Sequence, residues 1–163
     1  MATCSISSVV SKMKILGIEK SGPLKVTPIG NRLYKVAEDF GVTIYTDEGI
    51  LDFFIRAGFV TNFRSGGVAV DPFVDQIGDE DKSLWYLIHD LIYTPCAALD
   101  MEHPLSRKLG DQLLREGLIY SKMKKRKANI VYISVRLFGD WAYSQDDALT
   151  SSNSKLFTFH WAA

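Results

Sequence analysis

The chain has 163 residues, a length that suits one domain, or one domain with arms. Hydrophobic residues make up 47% of it and charged residues 23%, a composition that excludes an intrinsically disordered chain. The 19 basic and 19 acidic residues cancel, so the overall charge gives no reason to expect nucleic-acid binding, and no apolar stretch is long enough for a transmembrane segment.

The first 31 residues are expected to form an N-terminal arm. Apolar residues from Ile6 to Ile15 give a weak helical pattern, and the stretch SGPLKVTPIGN that follows carries two prolines and two glycines. The start of the chain lacks a charged leader followed by an apolar run, so we expect no signal peptide. Cys4 and Cys96 could form a disulfide, but buried free thiols suit an intracellular protein better.

Residues 32–70 are rich in β-branched and aromatic residues between turn signals, which predicts short antiparallel strands. Asp47, Glu48 and Gly49 indicate a hairpin turn. The run from Ile50 to Val60 has apolar residues on both faces, so part of it is expected to be buried on both sides. The predicted strands are RLYKVAEDF, VTIYTDEG, ILDFFIRAGFVTNF and SGGVAV.

Three helices are predicted between residues 83 and 138. The first begins with Ser83 as its N-cap and runs to Tyr93, the second begins near Ser106, and the third ends at Gly139 as a C′ residue. A basic run, Ser121 to Lys127, lies between the second and third helices. Cations at a helix end favour the negative pole of the dipole, although such a run could also contact phosphates or anionic lipid headgroups.

Residues 141–163 are expected to form a C-terminal aromatic tail. Phe157, Phe159 and Trp161 alternate along it, which predicts a short strand. This strand could dock on its own chain or on a neighbour, and the sequence leaves both possibilities open. The fold class is then α+β: a single domain, residues 32–140, with a small antiparallel β-region followed by a three-helix unit.

His89, Asp90, Tyr93 and Asp111 are the residues that most suggest chemistry. On a helix His89 and Tyr93 share a face, whereas Asp90 points about 100° away. If the first two helices pack antiparallel, Asp111 can approach His89 and leave the other imidazole nitrogen able to take a proton from water. Asp90 could hold a hard cation such as Ca²⁺. The alternative is a hydrogen-bonded core histidine and an aspartate placed by the helix dipole.

The spacing of His89-Asp90-Leu91-Ile92-Tyr93 and Asp111 resembles the signature of the secreted phospholipases A₂ and, more closely, that of the parvoviral capsid phospholipases. The resemblance implies that His89 is the base that activates water. It also implies that Asp111 orients His89 and that Asp90 is a calcium ligand.

A longer stretch, about residues 32–140, resembles a family of phage and bacterial proteins, the domain of unknown function number 1353. Four phrases agree in order, at residues 57–65, 88–93, 107–111 and 134–139. Two positions depart from the family: its Thr-Asp is Thr61-Asn62 here, and its Ile-Pro is Gly66-Gly67. Asn62 can still bind a metal through its amide oxygen, but the phospholipase calcium loop has no clear counterpart.

Two functions are therefore expected. One is a phage-encoded, virion-associated structural or adaptor protein in the virion or host cytoplasm, whose partners are other virion proteins. The other is calcium-assisted hydrolysis of an ester or amide in a lipid or cell-envelope substrate. In it His89 is the base, Asp111 its orienting partner, Tyr93 a supporting hydrogen-bond donor, and Asp90 and Asn62 the metal ligands. A third possibility, an intracellular factor acting on host defences, is neither supported nor excluded by the residues.

Overall fold

The computed structural model describes residues 13–31, 33–62, 80–93, 107–143 and 156–162. Within these ranges the chain forms seven strands and three helices. They are β1 (Ile15–Lys20), β2 (Val26–Gly30), β3 (Leu33–Val36), β4 (Phe40–Thr46), β5 (Gly49–Ile55), β6 (Val60–Thr61), α1 (Glu80–Ile92), α2 (Arg107–Tyr120), α3 (Lys125–Tyr143) and β7 (Phe157–Ala162).

The strands form two antiparallel sheets, and the predicted α+β fold class is confirmed. The larger sheet has the order β1-β4-β5-β7 and the smaller one the order β2-β3-β6. Their inner faces and the helices share one hydrophobic core. None of the helices within the described ranges is both long enough and apolar enough to cross a membrane.

The hairpin between β4 and β5 turns at Asp47 and Glu48, as predicted. The Thr46 hydroxyl accepts a hydrogen bond from the backbone of Glu48 and donates one to the Gly49 carbonyl. Burial in β5 alternates: Leu51, Phe53 and Ile55 are buried, whereas Ile50 and Phe54 are 38% and 42% exposed. The expectation of burial on both sides is therefore wrong for β5, which packs only one face on the core.

The prediction of an irregular arm up to residue 31 is also wrong for residues 13–31, the described part of that region, because β1 and β2 lie there. β1 pairs with β4 and packs Ile15 and Ile18 against the core. β2 is an edge strand with one hydrogen-bonded neighbour, so it tolerates Pro28, which has no backbone N–H to donate. Gly30 and Asn31 then turn the chain into β3 with φ angles of 89° and 51°. The glycines and prolines thus mark an edge and a turn rather than an arm.

The aromatic tail forms β7 and pairs with β5 of the same chain. The register runs from Ile50 opposite Ala162 to Ile55 opposite Phe157. Phe159 packs on Phe53 with ring centroids 5.0 Å apart. The predicted strand is confirmed, and of the two docking possibilities the structure shows the one within the chain.

The helices differ from their predicted ends. α1 begins at Glu80, so Ser83 lies inside the helix and is not its N-cap. α3 continues through Gly139 to Tyr143, because a glycine within a helix costs only about 1 kcal/mol relative to alanine. The expectations for Cys4, Cys96, SGGVAV and Gly66-Gly67 fall outside the described residues.

Candidate functional site

The site is built on α1, the most deeply buried helix of the described chain. Its residues from Leu84 to His89 are all no more than 2% exposed. Trp85 and His89 are one turn apart, and Tyr93 continues the last turn because its backbone N–H donates to the His89 carbonyl at 3.0 Å. Between Leu84 and Ile88 the helix is apolar on every side, as in a core helix, so the histidine that follows is placed inside the protein.

Two glycines let α2 approach α1 closely. A Cβ at Gly117 would lie 2.0 Å from Cδ2 of Trp85, and a Cβ at Gly110 would lie 2.8 Å from Cγ2 of Ile92. Both distances are far below ordinary carbon–carbon contact, about 3.5–4.0 Å. The glycines therefore allow an aspartate on α2, Asp111, to reach an imidazole on α1.

The predicted approach of Asp111 to His89 is present. Nε2 of His89 lies 2.7 Å from Oδ1 of Asp111, and the Tyr93 hydroxyl donates to the same oxygen at 2.6 Å. The guanidinium of Arg136, on α3, donates to Oδ2 of Asp111 at 2.9 Å. His89 is 1% exposed and Asp111 0%. The structure thus brings together His89, Tyr93 and Asp111, and adds Arg136.

The surroundings of Asp111 keep it ionised. Burial, the largest single influence, raises the pKa of its carboxyl, but the hydrogen bonds from His89, Tyr93 and Arg136 outweigh burial and the pKa lies below its ordinary value of 3.8. The bond to Asp111 also raises the pKa of Arg136. Burial and the carboxylate together raise the pKa of Tyr93 far above its ordinary value of 10.0, so its hydroxyl stays protonated and donates.

The second nitrogen of His89 has no such partner. Because Nε2 faces a carboxylate, it donates there, which leaves the lone pair on Nδ1 whenever the ring is neutral. Nδ1 is buried and, among the described residues, has no hydrogen-bond partner. The Tyr93 ring packs beside the imidazole, with centroids 4.1 Å apart and planes at 32°. His89 therefore has one nitrogen fixed by Asp111 and one unused acceptor.

Two arginines without a predicted role complete the site. Besides Arg136, Arg107 donates from Nε to the Tyr93 hydroxyl at 3.2 Å and from one terminal nitrogen to the carbonyls of Val135 and Arg136 at 2.9 and 2.6 Å. Arg107 thereby ties α2 to α3. Both arginines lie in stretches that resemble the family, at 107–111 and 134–139, and a buried carboxylate such as Asp111 needs a cation beside it, so a signal for Arg136 was present.

Asp90 lies apart from this group and contacts the smaller sheet. Its Oδ2 accepts a hydrogen bond from the hydroxyl of Thr61, a 2% exposed residue at the end of β6. The next residue along the chain is Asn62, which is exposed. Asp90 therefore contacts the residue that precedes Asn62 in the chain, on a different side of α1 from Asp111.

Asp90 and Asn62 are the predicted calcium ligands. Ca²⁺ takes six to eight oxygen ligands. One oxygen of Asp90 is engaged by Thr61, and in the described ranges no group of three or more His, Cys, Asp or Glu side chains is placed to hold a metal ion. The calcium expectation stays a prediction.

Comparison with known families gives one finding. The family described as "Protein of unknown function (DUF1353)" matches residues 34–135, well over half of the chain. The chain belongs to the DUF1353 family. The DUF1353 match begins in β3 and ends within α3, so it includes His89, Tyr93, Arg107 and Asp111 and stops one residue before Arg136. No curated protein and no solved structure matches the chain.

Proposed function

We propose that His89 and Asp111 form a general-base site that directs water at an ester or amide carbonyl. The observation that carries the proposal is the unused Nδ1 of His89. Leaving a buried polar atom without a partner costs about 1–3 kcal/mol, and no hydrogen bond within the described residues offsets that cost at Nδ1. A general base needs one ring nitrogen that can accept a proton while the other is held by a carboxylate, and Nδ1 and Nε2 of His89 meet these two conditions.

The chemistry follows from the two nitrogens. Nδ1 accepts a proton from water as the water oxygen forms a bond to the carbonyl carbon. The imidazolium that results is stabilised by the Asp111 carboxylate 2.7 Å from Nε2. The proton is then given to the departing alkoxide or amine as its bond to the carbonyl carbon breaks. Tyr93 and Arg136 act through Asp111, since they hold its two oxygens, and are positioning residues.

The proposed substrate is an ester or amide of a lipid or cell-envelope component. Support comes from the likeness of the His89–Tyr93 and Asp111 spacing to that of phospholipases. The His89–Asp111 bond, which that likeness implies, adds to the support.

The test measures fatty-acid release from mixed phospholipid vesicles by the whole chain, with calcium and with a chelator. His89→Gln is the informative variant, because its side-chain amide can still donate to Asp111 while the base is lost. Loss of a general base lowers the rate about 10²–10⁴-fold. His160→Gln, at an exposed position on β7, is the matched control. Release by the wild-type protein that His89→Gln leaves unchanged would end the proposal, and so would no release at all.

A second proposal is non-catalytic: a phage-encoded, virion-associated adaptor in which the same residues only join helices. The observation in its favour is the near-complete burial of His89 and Asp111, with both oxygens of Asp111 already used. Its partners would be other virion proteins, and its location the virion or host cytoplasm. Mass spectrometry of purified virions of the phage that encodes the chain checks this proposal, which fails if the chain is absent from those virions.

A further inference from the structure

Five exposed cations surround the connection between α2 and α3. We call them the basic cap: Lys122, Lys124, Lys125, Arg126 and Lys127. Across the part of the chain that the structure describes, none of the five forms an ion pair. Like charges this close repel one another, so their concentration around one helix connection needs a reason.

The helix dipole does not supply that reason. The sequence suggested that the basic run lies at the negative end of a helix, but Lys125, Arg126 and Lys127 form the first turn of α3, which is the positive end. That turn contains no acidic residue, and the last turn of α2 contains no basic one. Lys122 and Lys124 follow α2, so only these two could favour its negative end. Lys125, Arg126 and Lys127 lie instead at the positive end of the α3 dipole, where a cation is electrostatically unfavourable.

Exposed apolar side chains continue from the basic cap along α3. Arg126, Ile130, Ile133 and Leu137 follow one another at intervals of three or four residues and so lie on one stripe of the helix. Ile133 is 54% exposed and Leu137 67%. At the end of α2, next to the cap, Tyr120 is 38% exposed. The surface therefore combines cations at one end with aliphatic side chains along its length.

We propose that this surface binds a membrane containing anionic lipids. Cations of the basic cap contact lipid phosphates, while Ile133 and Leu137 face the boundary between headgroups and acyl chains, as in helices that lie in the membrane interface. Nucleic acid would use the same cations but gains little from two exposed aliphatic side chains, so the apolar stripe favours lipid. The proposal does not depend on the activity of His89.

Co-sedimentation of the whole chain with phosphatidylcholine vesicles, with and without phosphatidylglycerol, tests the proposal. Each lysine near an anionic surface contributes about fivefold in affinity, so Lys124→Gln/Lys125→Gln/Lys127→Gln should weaken binding to the anionic vesicles about a hundredfold. The matched control, Lys14→Gln/Lys35→Gln/Arg56→Gln, removes the same charge from exposed positions elsewhere and should bind almost as the wild type does.

A second pair of variants tests the apolar stripe. Ile133→Ser/Leu137→Ser should weaken binding about tenfold through lost apolar contact, whereas Leu16→Ser, at a 65% exposed position on β1, should not. The proposal is overturned if the wild type ignores anionic vesicles or if the two triple variants bind equally. It is also overturned if a short DNA duplex binds more tightly than the vesicles and displaces them.

Discussion

Replacing Gly117 with alanine tests whether the close approach of α1 and α2 builds the site. The new Cβ would lie 2.0 Å from Cδ2 and 2.3 Å from Cε3 of Trp85. Trp85 is 1% exposed, and its indole N–H donates to the Ser121 hydroxyl at 2.8 Å, so the ring cannot move aside freely. Overpacking of this kind costs about 1–3 kcal/mol, and we take the upper end because the overlap is with a ring.

Alanine also regains about 1 kcal/mol of helix propensity, so the net loss of unfolding free energy is expected to be about 2 kcal/mol. Gly110→Ala is the matched comparison. Its Cβ would lie 2.8 Å from Cγ2 and 3.3 Å from Cβ of Ile92, a smaller overlap than the one with Trp85, and the same gain in propensity should keep the change within about 1 kcal/mol.

Urea unfolding followed by far-UV circular dichroism measures both variants. Adding Trp85→Phe should restore part of the stability that Gly117→Ala loses, because the smaller ring leaves room for the methyl group. If Gly117→Ala unfolds no more easily than Gly110→Ala, then contact with Trp85 does not set the distance between the helices.

Three further predictions concern pH and the sheet edge. Folding lowers the pKa of Asp111, so its ionised form stabilises the fold above about pH 4, and this stabilisation disappears on acidification. In urea unfolding at a series of acid pH values, the free energy of unfolding of Asp111→Asn should therefore fall less steeply than that of the wild type. Folding raises the pKa of Tyr93, so the stabilisation from its protonated hydroxyl is complete below pH 10 and is lost as the pH rises further. In the same urea experiment, Tyr93→Phe should lower the free energy of unfolding by about 1–2 kcal/mol at neutral pH and make it depend less on pH in the alkaline range. Ending the chain before Phe157 uncovers the edge of β5 and should give self-association in size-exclusion chromatography with light scattering, whereas His160→Ala should stay like the wild type.

Helical spacing was enough to predict the centre of the site. His89 and Tyr93 share a face because of helix geometry alone, antiparallel packing of the first two helices predicts the approach of Asp111, and the resemblance to phospholipases assigns Asp111 its role. Arg136 was harder to assign, because its contact with Asp111 depends on how α3 packs on α2, and local sequence does not determine that packing. The role of Gly110 and Gly117 in the close approach of α2 to α1 could not be predicted either, because it also depends on how the helices pack.

Local signals misled where tertiary structure overrides them. Pro28 and Gly30 suggested irregular chain, but at a sheet edge and a turn they are compatible with strands. Ser83 is a good N-cap residue by type, yet the chain is already helical at Glu80. Alternation predicted β7 correctly, while its pairing partner, β5, lies about a hundred residues earlier and could not be read from a local pattern.

That pairing has a consequence for how the protein is made. β5 spans residues 49–55, and the strand that completes its outer edge spans residues 157–162. On the ribosome β5 must wait for about a hundred residues of synthesis, including all three helices, before β7 can pair with it. Closing so long a loop is a slow step, so we expect the helices to form first and sheet completion to follow synthesis of the last strand. Until then the nascent chain carries an open β edge, which is able to pair with a strand of another chain.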